Sequence, residues 1–131
     1  MSLKLNVIGI AVSNMAASLA FYRRLGLAIS AGSDTEPHVE VELDGGLKLL
    51  FDTDEVIASF DADYEPTTGP GRGSLAFEAG SPAEVDEVYG DLLGAGHHGH
   101  LAPFDAVWGQ RYAVMRDPDG NTVDLYAALP G

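Results

Sequence analysis

Residues 108–126, WGQRYAVMRDPDGNTVDLY, carry one carboxylate, Asp124, in an apolar, β-prone run just after a turn. A carboxylate so placed has two ordinary uses. It can ligate a divalent cation, or it can accept a hydrogen bond or positive charge from an organic ligand. HHGH, residues 97–100, sets His98 and His100 two apart, on one face if the stretch is a strand. Two imidazoles could hold zinc or nickel weakly. No carboxylate stands nearby at a convincing spacing, however, and Gly96 and Gly99 give the segment a loop-like character. His38 can titrate near neutral pH and contact an anionic group.

Other chemistries find no foothold. The acidic segment FDTDEVIASFDADYEP, 51–66, lacks the D-x-D-x-D-G spacing of a calcium loop. It reads as a solvated crossover, with a lid over a ligand as the alternative, and Phe60 and Tyr64 would pack beneath it or over the cleft. No G-x-S-x-G elbow or GxxxxGK[ST] loop occurs. GPGRG, 69–73, has glycines but neither the lysine nor the helix that cradles phosphate, and reads as a linker. The chain has no cysteine, which excludes disulfides, thiol nucleophiles and thiolate metal sites.

These residues need elements to hold them. At 131 residues, 46% apolar and 21% charged, the chain is expected to form one domain, 1–131, with its own core. Twenty acidic residues against seven basic give a net charge of −13. That balance disfavours nucleic acid and anionic membranes, and suits either solubility or a cationic ligand. No apolar run is long enough for a membrane span or a signal peptide, so the expected location is cytoplasmic.

The chain reads as a repeat. VIGIAVS, 7–13, alternates like a strand and leads into a helix with Met15, Leu19, Tyr22 and Leu25 on one stripe. SLAFEA, 74–79, does the same before a helix bearing Val85, Val88, Tyr89 and Leu92. Ser81, Pro82 and Glu84 signal that second helix's start, and Gly26 and Gly94 or Gly96 suit the two ends. Val7, Tyr22 and Leu25 recur at the spacing of Ser74, Tyr89 and Leu92. Strand-like segments follow each helix. In the first half these are LAISA, HVEVEL and, beyond the DGG turn at 44–46, LKLLF. In the second they are a His-containing run, RYAVM and, beyond DPDGN, NTVDLYA. DPDGN is turn chemistry, with Pro118 second in a type I turn and Gly120 the left-handed residue after it. The expected layout is module one at about 3–65, a linker at about 66–72 and module two at about 73–131.

Together, GIAVSNMAASLAFYRRLGL, LAFEAGSPAEVDEVYGDLLGAG and WGQRYAVMRDPDGNTVDLYA resemble the vicinal oxygen chelate superfamily. That group includes glyoxalase I, extradiol dioxygenases, and fosfomycin- and bleomycin-resistance proteins. The resemblance spans nearly the whole chain. It implies an α+β fold of two tandem βαβββ modules forming a curved, eight-stranded mixed sheet. Helices would lie on the convex face, a ligand cleft on the concave one, and the protein would be a homodimer. Metalloenzymes of the superfamily take four ligands, two per module. Carried over, those positions are Val7, Leu49 (or Leu50, one residue on), Ser74 and Asp124. Valine and leucine have no lone pair, serine is a poor ligand, and one carboxylate does not make a site. The resemblance therefore implies a member with neither metal nor cofactor.

Strand alternation extends the expected cleft. Thr122 and Tyr126 join Asp124, Gly9 and Ala11 join Val7, and Ala76 and Glu78 join Ser74. Leu47, Leu49 and Phe51 would form an apolar wall. Trp108, Gln110, Tyr112 and Val114 share one parity, and Arg111, Ala113 and Met115 the other. Both sides look apolar, and Trp108 and Tyr112 are taken as the cleft side. The expected ligand contacts are Val7, His38, Leu49, Phe51, Ser74, Trp108, Tyr112, Asp124 and Tyr126. Bleomycin-resistance proteins are the nearest functional analogue, so the expected partner is a bulky aromatic or cationic small molecule such as an antibiotic. The alternative is a lyase, isomerase or dioxygenase with displaced groups, Asp124 acting as base with His38 or His100.

Overall fold

Alternating and helical patterns in each half resolve into two compact units in a computed structural model that describes residues 2–131. The units divide between Thr67 and Thr68. The class is α+β, with three α-helices and two mixed sheets of three and four strands.

The first unit contains β1 (Val7–Val12), α1 (Met15–Arg24), β2 (His38–Glu42), β3 (Lys48–Thr53) and α2 (Asp54–Phe60). Its strand order is β1-β3-β2, with β1 parallel and β2 antiparallel to β3. Asn14 starts α1 by accepting the Ala17 N–H at 3.0 Å, and Arg23 and Arg24 occupy the last turn, where the helix dipole favours cations. Met15, Leu19 and Tyr22 are buried, as the helical spacing predicts. The Tyr22 ring lies 5.2 Å from that of Phe51, so α1 covers the Phe51 face of the sheet. HVEVE turns Val39 and Val41 to the same side.

Two expectations for this unit fail. LAISA forms no strand, so the unit has three strands where four were expected. Its backbone runs instead into a 3-10 turn, Ala31–Thr35. Arg23 explains the difference: its guanidinium donates to the carbonyls of Ile29 (3.0 Å) and Ser30 (2.7 Å) and pairs with Asp34 at 2.8 Å. Acceptors that a strand ladder would use are thus engaged by a side chain. The acidic crossover, in turn, contains a helix. Thr53 caps α2 by accepting the Val56 N–H, Asp54 and Glu55 fill its first turn, and the Tyr64 hydroxyl donates to Asp54 at 2.7 Å. Phe60, at the end of α2, is 76% exposed and does not pack beneath the segment.

The second unit is a complete β-α-β-β-β: β4 (Ser74–Glu78), α3 (Pro82–Gly94), β5 (His98–Asp105), β6 (Gln110–Arg116) and β7 (Thr122–Ala128). The strand order is β4-β7-β6-β5, with β4 parallel to β7 and the remaining pairs antiparallel. Ser81 accepts the Glu84 N–H, and the Glu84 carboxylate reaches the Gly80 N–H at 2.9 Å, one residue before the cap. Of the two candidate end glycines, Gly96 takes the left-handed conformation and Gly94 stays helical. DPDGN is the turn the sequence predicts. The Gly120 N–H donates to the Asp117 carbonyl at 2.9 Å, and buried Asp117 accepts the N–H groups of Asp119 and Asn121. Gly69, from the connector, docks on that turn through its N–H to the Asp119 carbonyl. Among the described residues no helix is long and apolar enough to cross a membrane.

Candidate functional site

In β7, Val123, Leu125 and Ala127 are buried while Thr122, Asp124 and Tyr126 alternate with them at intermediate exposure. Arg111 of β6 binds Asp86 of α3 through two contacts of 2.9 Å and Asp105 at 3.0 Å, so the Arg111 side of the sheet is the helix side. The opposite, open face follows from register. Tyr112 pairs with Tyr126, Val114 with Asp124 and Arg116 with Thr122. Ser74, Ala76 and Glu78 stand beside Thr122, Asp124 and Tyr126. The parity left open in residues 108–116 is therefore resolved, with Tyr112 on the side of Asp124.

Rings gather at one end of this face. Tyr112 lies edge-on to Trp108 at 5.3 Å and to Phe104 at 6.1 Å. Trp108 sits in the turn before β6, is 59% exposed, and donates its indole N–H to Gln110 at 2.9 Å. The Tyr112 hydroxyl donates to Asp124 Oδ2. Burial pushes the Tyr112 phenol up to about 12, and its hydrogen bond to Asp124 adds to that. It is therefore a donor throughout the neutral range. Asp124 Oδ1 is buried and accepts no hydrogen bond among the described residues. Such an orphan acceptor is costly, and a ligand donor would relieve it.

The first unit divides the remaining expected contacts. Leu49 (2% exposed) and Phe51 (0%) pair with Val41 and Val39 and belong to the core under α1. They do not form a ligand wall, because alternation turns Leu50, not Leu49, to the opposite face. There Leu50 joins Val7, Gly9, His38 and Asp52. His38 Nδ1 lies 2.6 Å from Asp52 and Nε2 lies 3.2 Å from Glu40, which also binds Lys48 at 3.1 Å. The hydrogen bond with Asp52, then that with Glu40, raises the His38 pKa above its usual value.

Register also decides between Leu49 and Leu50 as the equivalent of Asp124. Gly9, two residues after Val7, pairs with Leu50, and Ala76, two after Ser74, pairs with Asp124. The four inherited positions are thus Val7, Leu50, Ser74 and Asp124. Two aliphatic side chains, one hydroxyl and one carboxylate do not fit a divalent ion. Among the described residues no three His, Cys, Asp or Glu side chains are grouped to hold one. The histidine run is partly strand: His98 opens β5 opposite Arg116, His97 precedes it, and His100 falls at a register shift.

Sequence reasoning missed Phe104, Arg116 and the Asp52–Glu40 embrace of His38. Arg116 was within reach, since the even spacing of Gln110, Tyr112 and Val114 continues to it. Phe104 was not, because irregular pairing of β5 with β6 breaks simple counting.

Two α+β units, each with a parallel strand pair, a helix on one face and inherited positions at matched registers, define a duplicated-module fold. The chain belongs to the Glyoxalase/Bleomycin resistance protein/Dioxygenase superfamily, whose family model matches residues 4–125. It is similar to a glyoxalase/bleomycin resistance protein/dioxygenase family enzyme from Burkholderia phytofirmans PsJN, with 21% identity and a TM-score of 0.81 over 97% of this chain and 100% of that one. A hypothetical protein from S. aureus matches at 18% identity and a TM-score of 0.79, over 98% and 95% of the two chains. A glyoxalase-related enzyme from Fulvimarina pelagi matches at 21% identity and a TM-score of 0.79, over 95% and 87%. Identities this low speak for the fold alone. No curated protein matches the sequence.

Proposed function

We propose that this chain is a metal-free small-molecule-binding member of its superfamily, of the bleomycin-resistance type, which sequesters a bulky aromatic or cationic compound. The observation that carries this reading is the pairing of an aromatic cluster with an incompletely satisfied carboxylate on one sheet face. Trp108, Tyr112 and Tyr126 offer ring contacts, and Asp124 Oδ1 offers an acceptor for an N–H donor or a positive charge. The net charge of −13 favours the approach of cations. Inherited positions held by Val7, Leu50 and Ser74 argue against the superfamily's metal-dependent chemistry.

The competing reading is a lyase, isomerase or dioxygenase with relocated groups. Its best support is the imidazole oriented by Asp52. However, His38 Nε2, the nitrogen a general base would use, already faces Glu40. A thermal-shift screen of aromatic amines, glycopeptide antibiotics and divalent metals tests the proposal. A ligand at about 100 times its Kd adds roughly 2.7 kcal/mol of stability. Aromatic cations are expected to raise Tm and metals to leave it unchanged. Stoichiometric metal held by protein purified without added metal would sink the reading.

A further inference from the structure

Arg116 is a half-buried guanidinium of the second unit. In a chain with 20 acidic residues, Arg23 and Arg111 both bind carboxylates. Arg116 does not. It is half-buried, donates to the Thr122 hydroxyl, and has no carboxylate within ion-pair distance among the described residues. Its partner places it: the bond to Thr122 fixes the guanidinium on the open face that also carries Asp124.

The rows of that face are ordered by chemistry. The first runs His98, Arg116, Thr122 and Ser74, with a cation and two hydroxyls. The next holds Asp124 between Val114 and Ala76, and the third holds Phe104, Tyr112, Tyr126 and, at its end, Glu78. Same-face neighbours along a strand are roughly 7 Å apart, so the cation, carboxylate and rings follow one another at about that step. A purely cationic ligand would leave Arg116 unused and would suffer its repulsion. An anion on the same molecule would give the guanidinium the charged acceptor it lacks.

We infer that this face recognises an amphoteric aromatic compound in linear order. Its anionic group lies at Arg116, with Ser74 and His98 beside it, its protonated amine lies at Asp124 Oδ1, and its ring lies against Tyr112 and Trp108. The inference rests on the binding role proposed above and sharpens its ligand class.

Three matched probes test it by titration calorimetry with the 131-residue chain. 4-(Benzylamino)butanoate carries ring, amine and carboxylate in that order, N-butylbenzylamine lacks the carboxylate, and 6-phenylhexanoate lacks the amine. The amphoteric probe is expected to bind about tenfold or more tighter than either, as for a hydrogen bond to a charged group. Arg116→Gln should remove its advantage over N-butylbenzylamine, and Arg116→Lys should keep part of it, with unchanged melting of each variant verifying the fold. Equal binding of the amphoteric probe and the amine to the unaltered protein overturns the inference while the aromatic-cation reading stands. Binding of 6-phenylhexanoate alone also overturns it. Failure of all three probes, while larger aromatic cations bind, overturns the amphoteric assignment only. Failure of every aromatic compound overturns both.

Discussion

Replacing Tyr112 by Phe keeps the ring and removes one hydroxyl, and that hydroxyl supplies the only hydrogen bond to the Asp124 carboxylate among the described residues. A hydrogen bond to a charged group contributes about 1.5–3 kcal/mol when its partner is left buried. Asp124 is half-buried, so water can recover part of the loss, and about 1–2 kcal/mol is the expected cost. Unfolding entropy of about 2.1 cal/mol/K per residue over 131 residues gives roughly 275 cal/mol/K, so Tm should fall by about 4–7 °C. Differential scanning calorimetry at pH 7 measures it. In an Asp124→Ala background the same change should cost less than about 0.5 kcal/mol, because the acceptor is gone. The folded phenol's pKa lies above its ordinary value, so its contribution is present below pH 10 and declines as pH rises towards about 12. Unaltered protein should therefore lose its advantage over Tyr112→Phe across that window. Equal costs in the two backgrounds, or a Tyr112→Phe variant within about 0.3 kcal/mol of the parent, would refute the coupling.

Gly99→Ala should destabilise by about 1–3 kcal/mol in urea titrations. A Cβ there would run into the Tyr89 hydroxyl and meet Leu93 Cδ2 at 2.9 Å, so these two side chains of α3 would have to shift. An unchanged midpoint would show that the contact is soft. The His38 ring, followed by NMR, should titrate above pH 6.5, and Asp52→Asn should lower its midpoint. Because the folded pKa is the higher one, the stability gained is full below pH 6.5 and fades as pH rises through the folded midpoint. A midpoint that ignores Asp52 would contradict the geometry. Removing Arg111's charge by Arg111→Gln should loosen the tie between β6 and α3 and speed amide exchange in α3, as the bidentate contact with Asp86 requires.

What the sequence made legible followed from local rules. The caps of α3, the DPDGN turn and the alternation of β7 were readable because each depends on residues close in the chain. The 3-10 turn at 31–35 was not, because its cause is Arg23 reaching carbonyls six and seven residues away. α2 had a signal in Thr53 followed by Asp54 and Glu55, which the acidity of the whole segment obscured. The orientation of Leu49 and Phe51 depended on a one-residue alignment, and in a strand one residue reverses the face. Strand pairing supplied the missing information, by setting Gly9 beside Leu50 as Ala76 stands beside Asp124.

The same pairing separates the two open faces by what their polar groups already have. On the first sheet His38, Asp52, Glu40 and Lys48 satisfy one another, and the inherited positions are aliphatic. A ligand there would have to displace contacts at least as good as those it offers. On the second sheet, among the described residues, Asp124 keeps a buried oxygen without a donor, and Arg116 a guanidinium without a carboxylate. Groups left in that state lower stability, and chains retain them where something else gains. A ligand that supplies the missing donor and acceptor converts that deficit into binding energy, which makes the second unit's face the better binding surface. If instead those groups serve only the fold, replacing Asp124 and Arg116 together by Leu and Met should lower stability and leave every ligand's affinity unchanged. Raised stability with lost affinity is the outcome expected of a binding face.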